Sequence, residues 1–252
     1  IENKFKKLGA DIGFFEYFGR SLAMSSNGRI IAVGSIRLNG HVKIYIYLSD
    51  SWIQIGEDID GEADADYFGD AVSLSSDGTI VAIGAKYNDG TAATSGHVRV
   101  YEWRKFTQND EDNSIYNYKS RTNNSSQTKP IIITASLTTE PDVGKFYWTQ
   151  IGSDIDGEKA GDQSGYSVSL SSDGTIVAIG ATNNDDNGSN SGHVRIYQYD
   201  GVLWTQKGSD LDGEKASDLS GYSVSLNSNG TKVAVGAKNN DDGGIDSGHV
   251  RV

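Results

Sequence analysis

Three segments of the chain set carboxylates at one repeated spacing. Asp154, Asp156, Glu158 and Asp162 occupy positions 1, 3, 5 and 9 of a loop-like stretch. Asp58, Asp60, Glu62 and Asp66 repeat the pattern, and so do Asp210, Asp212, Glu214 and Asp218. Hard oxygen donors so spaced resemble the ligands that Ca2+ takes from a binding loop. These twelve residues are therefore the candidate metal ligands, and Ca2+ is the candidate cofactor. Two features weigh the other way. The glycine of each segment (Gly61, Gly157, Gly213) falls at position 4, not at the sixth position, where an EF-hand makes its sharp turn. The apolar residue after the first acid, such as Ile155, reads as buried and as pinning the segment to the fold. Asp side chains that cap turns explain the same residues without a metal, so the sequence requires no cofactor.

A second acidic stretch, Asn183-Asn184-Asp185-Asp186-Asn187-Gly188, recurs as Asn239-Asn240-Asp241-Asp242-Gly243 and, shorter, as Asn88-Asp89-Gly90. These read as solvated loops gathered on one face. The four histidines, His41, His97, His193 and His249, all follow a glycine and precede a valine. A catalytic or zinc site needs different groups converging on one point, whereas equivalent places of separate units are spread apart. The histidines are therefore expected to be structural, hydrogen-bonding nearby backbone at a strand start.

No nucleophile elbow, phosphate loop, zinc-helix motif or dinucleotide fingerprint occurs. Acid pairs such as Asp156 and Glu158 could serve glycoside hydrolysis, but a repeated pair is more simply scaffold. No unit is seen to break the repeat with a carboxylate or tyrosine aimed at a shared axis, so no catalytic residue is assigned. Asn123, Asn124, Asn187 and Asn229 each begin an N-x-Ser/Thr sequon and are candidate glycosylation sites.

What must position these groups is a unit of about 50 residues, present four times. Its clearest block is Gly-His-Val-Lys/Arg, at Gly40, Gly96, Gly192 and Gly248. Upstream lies Gly165-Tyr166-Ser167-Val168-Ser169-Leu170, with counterparts from Gly19, Gly69 and Gly221. Then comes Asn27-Gly28, Asp77-Gly78, Asp173-Gly174 or Asn229-Gly230, a strong hairpin signal that predicts a two-residue type I′ turn. Next is an apolar run such as Ile176–Ala181, suited to a strand covered on both faces. A last block, Trp148-Thr149-Gln150-Ile151-Gly152, is matched from Trp52, from Trp204 and, degenerately, from Phe5. Each unit thus supplies four short strands, with the Trp strand at the outer edge.

Repeated four-stranded units predict an all-β protein, a β-propeller of four-stranded blades. The repeats run over about 5–46, 52–103, 148–199 and 204–252, with an insertion at 104–147 inside the second. The four could close as a four-bladed ring, the Phe5 strand lying beside His249–Val252. They could equally be part of a larger propeller, for example a seven-bladed one. The insertion holds both prolines, Pro130 and Pro141, and an apolar patch, Ile131-Ile132-Ile133. It reads as a rim loop, or as an arm that adds a strand to a partner.

Composition excludes several roles. The net charge is −12, which repels nucleic acid and anionic membranes. There is no cysteine, hence no disulfide, thiolate site or cysteine nucleophile. No apolar run approaches a membrane span. The chain opens on Ile1 and stops at Val252 within a repeat, as a processed or partial chain would.

Phe68-Gly69, an alternating strand, Ile83-Gly84-Ala85 and then Gly96-His97-Val98-Arg99-Val100-Tyr101 resemble the FG-GAP repeat. Phe18-Gly19 matches too. Gly165 and Gly221 follow Ser164 and Ser220, and the GAP element is reduced to Gly-Ser or Gly-Ala. The resemblance spans everything but the insertion. It implies blades like those at the head of integrin α chains and of many bacterial and algal surface proteins. It also implies that a calcium-binding blade carries its metal loop between its first two strands, where this chain has only the bare turn. The expectation is a non-catalytic, extracellular or cell-surface module for adhesion or structure, with proteins or glycans as partners. The alternative is a lectin or a carbohydrate-active enzyme.

Overall fold

The computed structural model describes residues 7–13, 16–105 and 145–252. Among these residues there is no helix, and the strands form four antiparallel sheets arranged as the blades of a four-bladed β-propeller. Blade one holds β1 (Ser21–Met24), β2 (Ile30–Ser35), β3 (His41–Leu48), β4 (Ser51–Gln54) and β5 (Ile59–Asp60). Blade two holds β6 (Phe68–Leu74), β7 (Ile80–Ala85), β8 (His97–Lys105), β9 (Phe146–Gln150) and β10 (Ile155–Asp156). Blade three holds β11 (Ser164–Leu170), β12 (Ile176–Ala181), β13 (His193–Tyr199), β14 (Trp204–Gln206) and β15 (Leu211–Asp212). Blade four holds β16 (Ser220–Leu226), β17 (Val233–Ala237) and β18 (His249–Arg251).

The Trp strand stands at the outer edge, but it shares that edge. In blade one, β4 pairs with the second half of β3 and β5 with the first half. Gly56, at φ +77°, lets the chain turn from one to the other. Blades two and three repeat this with β9/β10 and β14/β15. Two residues of each acidic segment are therefore a strand. Ile59 and Ile155 are buried there, as their apolar character predicts.

The hairpin after the first strand differs from the predicted type I′ turn. Only its glycine has positive φ (Gly174, +71°), and Asp173 does not. The reason is side-chain capping. Asp173 Oδ1 accepts from the Ser171 hydroxyl (2.6 Å) and from Thr175 N (3.0 Å), while Ile176 N donates to Ser171 Oγ. The carboxylate holds its own residue out of the left-handed region, which leaves a wider loop closed by Ser171 and Ile176.

The apolar second strands make the core. β7 and β12 carry the same six residues, Ile-Val-Ala-Ile-Gly-Ala, and both are almost wholly buried. Their side chains pack against the blade on either side: Val42 and Ile44 meet Val81 and Ile83, Val98 and Val100 meet Val177 and Ile179, and Val194 meets Val235. Adjacent blades approach closely through glycine. A Cβ on Gly34, Gly84 or Gly180 would overlap the carbonyl oxygen of Gly69, Gly165 or Gly221 in the next blade. A backbone ladder follows the turns, Ser26 N to Ser76 O, Ser76 N to Ser172 O and Ser172 N to Ser228 O, each 2.8 Å. The outer tryptophans add a third tie: Trp148 donates to Ile55 O and Trp204 to Ile151 O.

The end faces carry unmatched halves of this joint. A Cβ on Gly236 of blade four would meet only Ser223 of its own blade, and one on Gly19 of blade one would meet nothing within 4 Å. The strand begun by Phe5 lies outside the described residues, and β18 pairs with β17. Leu8, from the same block, accepts from Trp52 and so sits on blade one. Most of the insertion, including both prolines and Ile131–Ile133, also lies outside the described residues. The chain leaves β8 and rejoins β9 at cross-strand neighbours, Lys105 and Phe146, on the outer edge of blade two.

Candidate functional site

The carboxylates of one acidic segment do not converge. Asp58 binds Lys43 Nζ at 2.9 Å and accepts from Gln54. Burial opposes its charge, but Lys43 and Gln54 together hold its carboxyl below the usual value. Asp60 faces His41 across the β3–β5 ladder, and burial pushes its carboxyl up. Glu62 reaches forward to Arg99 of blade two, at 3.7 Å. Asp66 is buried and accepts from Asn88 Nδ2 at 2.7 Å.

The other two segments follow the same plan. Asp154 accepts from Gln150, and Glu158 meets Arg195 at 3.4 Å. Asp156 lends its carbonyl oxygen to Arg195, and buried Asp162 accepts from Lys159 N and Asn184 Nδ2. Asp210 accepts from Gln206, and Asp212 gives its carbonyl oxygen to Arg251. Glu214 faces Arg251, while buried Asp218 accepts from Lys215 N and Asn240 Nδ2. The last acid of each segment thus clamps the loop between the second and third strands of the following blade.

A different grouping appears in blades two, three and four. In blade three, ligand atoms of Glu158, Asp186, His193 and Asp210 lie within 4.8 Å of one another. Glu158 comes from the segment entering the blade, Asp186 from the β12–β13 loop, His193 from the start of β13 and Asp210 from the segment leaving. The β13–β15 pairing of His193 with Asp212 sets Asp210 beside the imidazole, with Nδ1 to Oδ2 at 3.7 Å. Blade two groups Glu62, His97 and Asp154, and blade four groups Glu214, Asp242 and His249.

The expected backbone hydrogen bond from these imidazoles is not what occupies their buried nitrogens. His193 Nδ1, His41 Nε2 and His249 Nε2 are buried atoms without a hydrogen-bond partner. Antiparallel pairing has already used the nearby backbone groups, and acidic side chains stand around the ring instead. Burial, then Arg195, lowers the His193 pKa, and burial lowers that of His41.

One asymmetric network escaped the sequence. The residue after the first-strand glycine is Arg20, Asp70, Tyr166 or Tyr222, and the first strands of successive blades stand next to one another. Asp70 accepts from Arg20 Nε at 2.6 Å and from Lys86 Nζ at 2.7 Å, with its side chain almost fully buried. Lys86 lies 4.7 Å over the Tyr166 ring. Burial and a hydrogen bond with Tyr222 push the Tyr166 hydroxyl up to about 12. Here a carboxylate and a tyrosine do break the repeat. The signal in the sequence is that Asp70 alone is acidic among these four aligned residues.

Asn187 donates through Nδ2 to the carbonyl oxygens of Gly213 and Glu214, and Asn229 Oδ1 accepts from Thr231. Asn123 and Asn124 lie outside the described residues. Two open clefts sit on the end faces. One, of about 360 Å3, is beside Tyr222, Gly236 and His249, and one of about 340 Å3 lies between Leu8, Phe18 and Trp52.

Blade order, glycine joints and split outer edges define a β-propeller. Within it, residues 154–197 match the model of the FG-GAP repeat family. That segment runs from the acidic residues before blade three to Tyr197 on β13. No curated protein matches the chain. Among solved structures, a putative 6-phosphogluconolactonase from Bacteroides uniformis ATCC 8492 is similar, with 11% identity and a TM-score of 0.50. The match covers 86% of this chain and 47% of that one. Hydrazine synthase from Kuenenia stuttgartiensis is 10% identical, with a TM-score of 0.48, over 98% of this chain and 53% of that one. The chain spans about half the length of both. At such identities the likeness concerns fold alone.

Proposed function

We propose that this chain is a non-catalytic propeller module that acts in adhesion or as a structural part of an extracellular or cell-surface assembly, binding other proteins or glycans. The observation that carries this is repetition: the imidazole, the carboxylates and a cation (Lys43, Arg99, Arg195 or Arg251) recur blade by blade, each set tied to its own blade. Catalysis needs different groups poised around one reacting atom. The asymmetric network around Asp70 supports the same role. Asp70 is neutralised by two cations, and Tyr166, pushed to about 12, keeps its proton at neutral pH. Neither is poised as a base. The match to the FG-GAP repeat and the net charge of −12 support a surface setting without nucleic-acid partners.

The test combines a glycan array, hydrolase and lactonase assays, and affinity capture from extracellular-matrix preparations. Saturable binding of a defined protein or glycan without turnover is expected. Turnover of any substrate, abolished by Asp70→Asn or Tyr166→Phe in a folded variant, would replace this reading with an enzymatic one.

A further inference from the structure

We propose that Glu158, Asp186, His193 and Asp210 of blade three bind one divalent transition-metal ion of the Zn2+ type. Three carboxylates and one imidazole offer ligand atoms that all lie within 4.8 Å of one another. A cluster of acids alone would be unremarkable on so acidic a chain. The imidazole is what points to a ligand. His193 is 1% exposed, its Nδ1 has no hydrogen-bond partner, and that atom faces the carboxylate of Asp210 at 3.7 Å. An unmatched buried nitrogen costs free energy that a ligand on its lone pair would recover.

The donor set selects the ion. Imidazole suits zinc, copper, iron and nickel, whereas Ca2+ takes six to eight oxygens. Three oxygens and one nitrogen match tetrahedral Zn2+, a coordination in which carboxylate and imidazole commonly combine. Two cations stand nearby and partly neutralise the acids. Lys159 Nζ pairs with Asp186, and Arg195 Nη1 lies 3.4 Å from Glu158. Lys159 is well exposed and free to swing into water when an ion arrives. Three carboxylates against two cations still leave the place negative. Asn184 Nδ2 donates to Asp186 and steadies it.

The repeat supplies internal controls. Blade two has Glu62, His97 and Asp154, but Gly90 stands where blade three has Asp186. In blade four the described residues group Glu214, Asp242 and His249. Among the described residues blade three alone brings all four together, so one strong site is expected among them. This site differs from the twelve-residue Ca2+ pattern: it draws single residues from different segments. It does not depend on the adhesion reading.

Isothermal titration of the metal-free chain with Zn2+, with Mn2+ and with Ca2+ tests it, alongside thermal melts with and without EDTA. One Zn2+ per chain is expected, with a rise in melting temperature that EDTA reverses. Asp186→Asn, whose side chain is partly exposed, and His193→Gln should each weaken Zn2+ binding at least tenfold. Asp186→Asn should melt like the parent in EDTA, which separates lost binding from lost folding. Zn2+ binding unchanged in Asp186→Asn and His193→Gln, no Zn2+ binding at all, or Ca2+ bound as tightly as Zn2+ would each overturn the proposal.

Discussion

β11 and β16 have the same seven residues, Ser-Gly-Tyr-Ser-Val-Ser-Leu, yet they do not have the same environment. In blade three Leu170 is buried and the alternating residues are half-covered. In blade four Tyr222, Ser223 and Ser225 are exposed. Their partner strands differ likewise: β12 is buried at every position, while β17 is only partly covered. The local hydrogen bonds are the same in both blades. Ser220 and Ser164 accept the same bulge register, and Asp162 and Asp218 clamp the same loops. What differs is the next blade. Burial in this fold is thus a property of the joint, not of the strand, as expected when each unit can cover its apolar face only by stacking.

The largest effect should come from the core side of that contrast. Ile179→Ala, at a fully buried position, should lower stability by about 2–5 kcal/mol. Val233→Ala on the partly covered β17 should cost only about 1 kcal/mol. Chemical denaturation of both variants checks this, and equal losses would break the comparison.

The joint itself comes next. Gly180→Ala drives a methyl into the Gly221 carbonyl and should cost about 1–3 kcal/mol. Gly236→Ala, at the same place in blade four, meets only the movable Ser223 side chain and should be close to neutral. Comparable melting temperatures for the two would show that the blades are not joined through glycine.

Local capping should ignore position. Asp162→Ala and Asp218→Ala each remove the buried acceptor of a buried Asn amide, so each should cost about 1–3 kcal/mol, and by similar amounts. A loss confined to blade three would mean that the clamp depends on the joint.

The smallest effect concerns pH. Hydrogen bonds from Ser171 and Thr175 hold the Asp173 carboxyl below its usual value. A group with a depressed folded pKa stabilises above its unfolded value, near pH 4, and loses that contribution as pH falls through the folded one. Asn229 already fills this place in blade four. Asp173→Asn should therefore match the parent at pH 7 and lose less stability than the parent between pH 5 and pH 3, read from urea unfolding.

Much of the fold was legible because glycine and apolar runs punctuate it. Ile176–Ala181 could only be a strand covered on both sides, and the Asp-Gly pairs could only turn the chain. The outer edge was less legible. Nothing in Trp52–Gly56 or Ile59-Asp60 says that both share β3, since that depends on where two short strands find free backbone on one longer strand. The site was least legible. Reading Asp154 to Asp162 as one ligand loop grouped residues by adjacency, whereas the fold hands Asp154 to blade two and Glu158 to blade three. Asp186, Glu158, His193 and Asp210 meet only after two strand pairings are made, and Asp70 meets Arg20 and Lys86 only across a joint.

Native-state hydrogen exchange on the 252-residue chain tests the joint most directly. The amides of β12 and β17 lie in nearly the same sequence, Ile-Val-Ala-Ile-Gly-Ala against Val-Ala-Val-Gly-Ala, and the comparable residues 179–181 and 235–237 are paired on two sides. If neighbouring blades deliver the burial, β12 amides exchange far more slowly than those of β17. Equal protection in the two strands would contradict the account, because it would place the stability inside each blade.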